Sequence, residues 1–90
     1  MALYMVGYDL TSKEDYTPLI DRLKRFGTFW HHLDSTWLIR TDMTHTAVRD
    51  ELLKYMYGDD RLLLAVISAP AAWSGFTERA TEWLKEQLSA

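Results

Sequence analysis

The chain has 90 residues, 48% of them apolar, with four Trp, five Tyr, no Cys and a formal charge of -3. That length suits one domain with a small core, near the margin of independent stability, and the missing cysteines exclude disulfides, thiolate nucleophiles and cysteine-ligated zinc. The acidic balance excludes the diffuse positive field that marks most dedicated nucleic-acid binders, and an uninterrupted apolar run such as Leu62–Ile67 falls far short of the roughly 20 residues a membrane span needs.

The N-terminus shows no basic stretch followed by an apolar one, so no leader is expected. The expectation is a single cytoplasmic domain over residues 1–90, without membrane association.

Taken in chain order, Leu3 to Asp9 reads LYMVGYD and runs into the polar stretch LTSKED, a strand followed by a loop. Tyr16, Leu19, Ile20, Leu23 and Phe26 then recur at helical spacing. Asp15 is placed to cap that helix, Pro18 suits its first turn, and Gly27 suits the left-handed position after its end.

Residues 29–41, FWHHLDSTWLIRT, predict a hairpin turning at Asp34 and Ser35. A two-residue turn there pairs Leu33 with Thr36, His32 with Trp37 and Trp30 with Ile39. A slip of one residue exchanges the faces.

Thr44 is a candidate N-cap for a second helix carrying Val48, Leu52, Tyr55 and Met56 and ending at Gly58. Arg61–Ser68, RLLLAVIS, has the unalternating pattern of a strand buried on both faces, which predicts a central position in the sheet. Beyond Ala69 and Pro70, the positions Trp73, Phe76, Ala80, Trp83, Leu84 and Leu88 predict a final amphipathic helix.

This order implies an α+β fold: a ferredoxin-like βαββαβ sandwich with an antiparallel sheet, helices on one face and an additional C-terminal helix. The first strand and the hairpin carry apolar groups on both sides. Something must therefore cover the second sheet face, and a second copy of the chain, sheet against sheet or edge to edge, is the expected cover.

Among residues that carry chemistry, adjacent His31 and His32 point to opposite faces of a regular strand and do not form a metal clamp. His32 is expected beside Trp30 and Trp37, with proton transfer or stacking on a substrate as its alternative role. Asp9 ends the first strand, where sites gather. It reads either as an Asx turn toward Thr11 or Ser12, or as a ligand for Mg2+ or Mn2+ completed by Asp9 of a second copy. Ser35 lacks a glycine elbow and a base, so it is not a serine nucleophile. Asp59 and Asp60 read as turn chemistry. Arg22, Lys24 and Arg25 form a solvated helix face that is also suited to phosphates.

VGYDL, GTFWHHLDSTWLI and the tail AAWSGFTERATEWLKEQL together resemble the bacterial SinR-like proteins, which are similar to CRISPR-associated protein two and related to the VapD toxins. The likeness spans nearly the whole chain. It rests on Tyr8-Asp9 closing a strand, Gly27 closing a helix, and Ser35-Thr36-Trp37 opening the strand that follows. The resemblance implies a ferredoxin-like homodimer and, in active members, a metal-dependent phosphodiesterase whose strand-end aspartates, here Asp9, flank a metal between subunits. Ser35 and His32 would then orient phosphate or shuttle protons.

Two functions follow as expectations. One is a metal-dependent endonuclease acting on RNA or DNA; the other is a non-catalytic dimeric module or adaptor that binds another protein through apolar surface.

Overall fold

A computed structural model describes residues 1–89 and shows a small α+β fold. Its elements are β1 (Ala2–Asp9), α1 (Thr17–Lys24), β2 (Thr28–Leu33), β3 (Thr36–Thr41), α2 (His45–Leu53), β4 (Arg61–Val66) and α3 (Glu78–Ser89). The four strands form one sheet in the order β2-β3-β1-β4, and every neighbouring pair is antiparallel. β3 thus lies between β1 and β2, and β1 lies between β3 and β4, so both helical crossovers skip a strand.

The helix ends follow local chemistry. Asp15 Oδ1 accepts from the Thr17 N–H at 2.9 Å, though the N-cap itself is Tyr16, one residue later than expected, and Pro18 occupies the first turn of α1. Gly27 takes φ +86 after that helix, a conformation that costs glycine little and other residues more. Thr44 caps α2, its Oγ1 accepting from Ala47 N–H at 3.2 Å. α2 ends at Leu53, short of the expected Gly58.

Strand alternation sends the even residues of β1 to one face and the odd ones to the other. Tyr4 and Val6 join Trp37, Ile39, Leu19, Leu23, Val48 and Leu52 in a core beneath α1 and α2. Leu3 joins Trp30, Leu38, Ala80 and Leu84 in a second core beneath α3, with Met5, Ile67, Trp73, Phe76, Trp83 and Leu88 around it. This corrects the expectation of helices on one face: the chain's own C-terminal helix covers the second face. The need for cover inferred from the apolar pattern is real, but it is met within one chain, so that pattern supplies no reason for a sheet-on-sheet dimer.

α3 is fastened at both ends. Trp30 Nε1–H donates to Ala80 O at 3.2 Å near its start, and Thr77 Oγ1 accepts from the Ala80 N–H. Toward its end, Arg40 donates to the backbone and side-chain oxygens of Gln87 and to Met1 O. Trp73 and Phe76 were expected within this helix. They precede it, yet they still pack on the second core.

β4 is an edge strand, which corrects the expected central position. Its apolar run does not signal burial on two sides: Leu63 is 62% exposed and Val66 63% exposed. Leu62 and Leu64 face the α1/α2 core.

The hairpin register also departs from expectation. Leu33 pairs with Thr36 as expected, but a bulge follows, and Trp30 faces Leu38 while Phe29 faces Ile39. A bulge sets two residues against one on the partner strand. Here it separates the tryptophans: Trp37 lies in the α1/α2 core and Trp30 in the α3 core.

Candidate functional site

The β2–β3 turn and the end of β1 meet at one end of the sheet. Tyr8 N–H donates to Ser35 O at 3.1 Å, and Trp37 Nε1–H donates to the Tyr8 hydroxyl at 2.9 Å. His31 stacks on Trp37, with ring centroids 3.8 Å apart and planes 11° from parallel, and its Nε2 lies 3.3 Å from Asp34 O. The result is an aromatic brace that holds the turn against the first strand.

Ser35 and Asp9 therefore belong to the same end of the sheet, both exposed. Asp9 stands opposite Arg61 of β4, and an open pocket of about 290 Å³ runs along Gly7, Asp9 and Leu63. His32 is separate from this arrangement. It tilts against Trp30 at 4.9 Å and Phe76 at 6.4 Å between ring centroids, on the α3 side of the sheet. It does not neighbour Trp37, because the bulge gives that position to His31. No hydrogen bond joins Asp9, Ser35 and His32 among the described residues.

For a divalent cation, Asp9 is the carboxylate at this end of β1, and its cross-strand neighbour is a cation, Arg61. Among the described residues no three His, Asp or Glu side chains converge to hold a metal. In the arrangement the resemblance implies, further oxygens would come from Asp9 of a second copy.

Among the described residues, four of the ten basic side chains make ion pairs, and Arg22 is the one of these on the expected phosphate face. Arg22 binds Glu51 at 2.9 Å and lies 4.4 Å from the centroid of the Phe26 ring. Lys54 reaches Glu51 at 2.8 Å, and Arg49 reaches Asp50 at 2.9 Å. Hydrogen bonds from Lys54 and Arg22 hold the Glu51 carboxyl down at about 2. The helix face expected to meet phosphates is thus partly neutralised by its own neighbours.

A polar cluster that the sequence reading assigned to simple turn chemistry proves more connected. Asp60 accepts from Thr11 N–H at 2.8 Å, Tyr57 N–H at 2.8 Å and the Tyr16 hydroxyl at 2.7 Å. Burial pushes its carboxyl up, but these donors outweigh that effect and hold it at about 2. Burial and Asp60 raise the Tyr16 hydroxyl in turn. Every oxygen is used to tie the β1–α1 loop to the β4 entrance, a structural task. The sequence signal was the Asp-Asp pair before an apolar strand, but its partner Thr11 lies 49 positions away.

Two apolar surfaces remain. An open groove of about 310 Å³ lies between α3 and the sheet, lined by Met5, Leu33, Leu38, Trp73, Phe76 and Leu88. The second is the outer edge of β4. Ile67 N–H donates to Leu3 O at 2.9 Å. Because bonded and non-bonded pairs alternate along an antiparallel ladder, the odd residues of β4 bond to β1 and the even ones point their N–H and C=O outward. Among the described residues nothing bonds to the outward groups of Leu62, Leu64 and Val66. On the α2 side of the same edge, His45, Thr46 and Arg49 frame an open pocket of about 240 Å³ with Leu62, Leu63 and Leu64.

Comparison with protein-family models, with curated proteins and with solved structures returns no significant match. No helix among the described residues is long and apolar enough to cross a membrane.

Proposed function

We propose that this chain is a ferredoxin-like interaction module that works by adding a polypeptide strand to the outer edge of β4. The ferredoxin-like label rests on the interlocked strand order, in which each helical crossover spans one intervening strand. The function rests on one observation: β4 presents three outward backbone positions flanked by exposed Leu63 and Val66. Proteins normally blunt such an edge with charge, proline or a bulge. The opposite edge, β2, has both a bulge and two histidines, whereas β4 carries one charge, Arg61, at its first position. An edge left open in this way supports strand addition, where main-chain bonds supply affinity and side-chain pockets supply selectivity.

Selection from a random peptide library on the wild type and on Val66→Pro tests the reading. Proline removes an outward N–H without breaking a bond to β1. Peptides with alternating apolar residues should be enriched on the wild type and lost on the variant. Enrichment that is equal on both proteins, or absent from both, refutes it.

A second reading keeps the metal-dependent endonuclease implied by the resemblance to CRISPR-associated protein two. Favouring it is the position of Asp9 at a strand end beside the Ser35 turn. It needs two copies with their Asp9 carboxylates side by side. Labelled single-stranded RNA and duplex DNA, incubated with Mg2+, Mn2+ or EDTA, should show metal-dependent cutting that Asp9→Asn abolishes. Absence of cutting in every lane removes this reading.

A further inference from the structure

Resting on the reading of β4 as the working edge, we infer that its occupant is β4 of a second copy, paired antiparallel about a two-fold axis at Leu64. The strand is self-complementary in that register. Leu62, Leu64 and Val66 point their backbone groups outward, so Leu64 meets Leu64 of the second copy and Leu62 meets its Val66. All of these are mutually bonded pairs in an antiparallel ladder. A register displaced by one residue sets outward groups against inward ones and forms no ladder.

The side chains agree with the backbone. On the α1/α2 side, Leu62 lies against Val66 of the second copy, extending the apolar face that Leu62 and Leu64 already form with the core. On the α3 side, Leu63, 62% exposed in one chain, lies against Ala65 of the second copy. The two most exposed apolar residues of the strand, Leu63 and Val66, are thereby the ones that the two-fold covers. Arg61 falls opposite Ile67 of the second copy, so no like charges meet along the strand. Such a contact is isologous and closes on itself, giving a dimer and not a fibre.

The size of the contact sets its strength. A standard interface covers about 800 Å² per partner, a sizeable part of the 5870 Å² surface of this chain. A join limited to one short strand and its flanking side chains falls below that class, in the range of transient encounters, so the dimer is expected to exchange with monomer.

The register also decides where Asp9 lies. Asp9 stands opposite Arg61, and Arg61 of the two copies lie six residues apart along the paired strands, about 20 Å at the usual rise. Two Asp9 carboxylates at that separation do not share one metal ion. The β4-paired dimer and the paired-Asp9 endonuclease are therefore mutually exclusive assemblies.

The chain has no cysteine, so single cysteines report the register directly. Leu64→Cys and Val66→Cys are compared under mild oxidation, with sedimentation equilibrium on the wild type and on Leu63→Lys. The expected result is a reversible wild-type dimer, a covalent dimer that forms at least tenfold faster for Leu64→Cys than for Val66→Cys, and a monomeric Leu63→Lys with an unchanged circular dichroism spectrum. A wild type that stays monomeric to millimolar concentration overturns the inference, as does cross-linking that is equal at both positions. If the wild type is monomeric yet the peptide selection still yields strands lost on Val66→Pro, the edge reading stands and only the second-copy occupant fails. If both experiments are negative, both fail.

Discussion

Truncating Leu84 to alanine separates a face covered by the chain itself from one left for a partner. Leu84 sits at the centre of the second core and is 5% exposed, with Leu3, Trp30, Leu38 and Ala80 around it. The change removes three carbon groups, about 2.4 kcal/mol at about 0.8 kcal/mol each. A cavity contribution adds to this, and it is modest because Leu84 borders the open groove beside Met5 and Trp73. The expected loss is about 3 kcal/mol, in the lower half of the range for buried Leu→Ala changes. For a domain of this size that corresponds to a Tm lower by about 12 to 24 °C.

Urea unfolding followed by tryptophan fluorescence measures the loss, because Trp30, Trp73 and Trp83 report from the same cluster. The slope with denaturant should stay constant, since the unfolded chain and the overall fold are unchanged. A loss below about 1 kcal/mol would mean that α3 is not seated on the sheet. The second face would then need a partner after all.

Tyr8→Phe removes the acceptor of the Trp37 indole N–H and leaves that donor unpaired beside a buried ring, at a cost of about 1 to 2 kcal/mol in the same unfolding experiment. Acid should destabilise the fold in a defined window. The Glu51 carboxyl is lowered from 4.5 to about 2 and the Asp60 carboxyl from 3.8 to about 2. Both contribute stability that is fully present above about pH 4.5 and is lost as the pH falls toward 2. Glu51→Gln and Asp60→Asn should each flatten that part of the stability profile, and a profile unchanged by both substitutions would contradict the two networks.

The parts of this fold that were legible in the sequence are those governed by neighbours along the chain. Thr44 as a cap, Pro18 in a first turn and Gly27 in the left-handed region depend on a few local atoms. The two-sided apolar character of β1 was equally visible, and it correctly demanded cover on both faces. What escaped was which segment provides that cover, because nothing local shows that Ala80 and Leu84 meet Leu3 and Trp30 rather than another chain.

β4 shows the same limit from the other side. RLLLAV reads as a doubly buried strand, yet its place at the sheet edge follows from the strand order alone. At the candidate site, the bulge between Trp30 and Leu33 leaves His32 beside Trp30 but gives the place beside Trp37 to His31, and a turn at Asp34-Ser35 does not announce it. Of the expected site residues, Asp9 and Ser35 come together at one end of the sheet, while His32 turns to the α3 side beside Trp30 and Phe76. The surface that carries the proposed function was hidden inside a run that looked like core.

The most direct measurement is residue-resolved amide hydrogen exchange along β4. In dilute wild-type protein, Leu63 and Ala65 should be protected by their bonds to β1, while Leu62, Leu64 and Val66 exchange quickly at the open edge. Raising the concentration, or adding a strand peptide selected on the wild type, should slow those three amides and leave the other two unchanged. Uniform protection of all five in the dilute monomer would contradict the account, because the edge would then be occupied within one chain. Fast exchange at Leu62, Leu64 and Val66 under every condition would contradict it equally, because nothing would add to the strand.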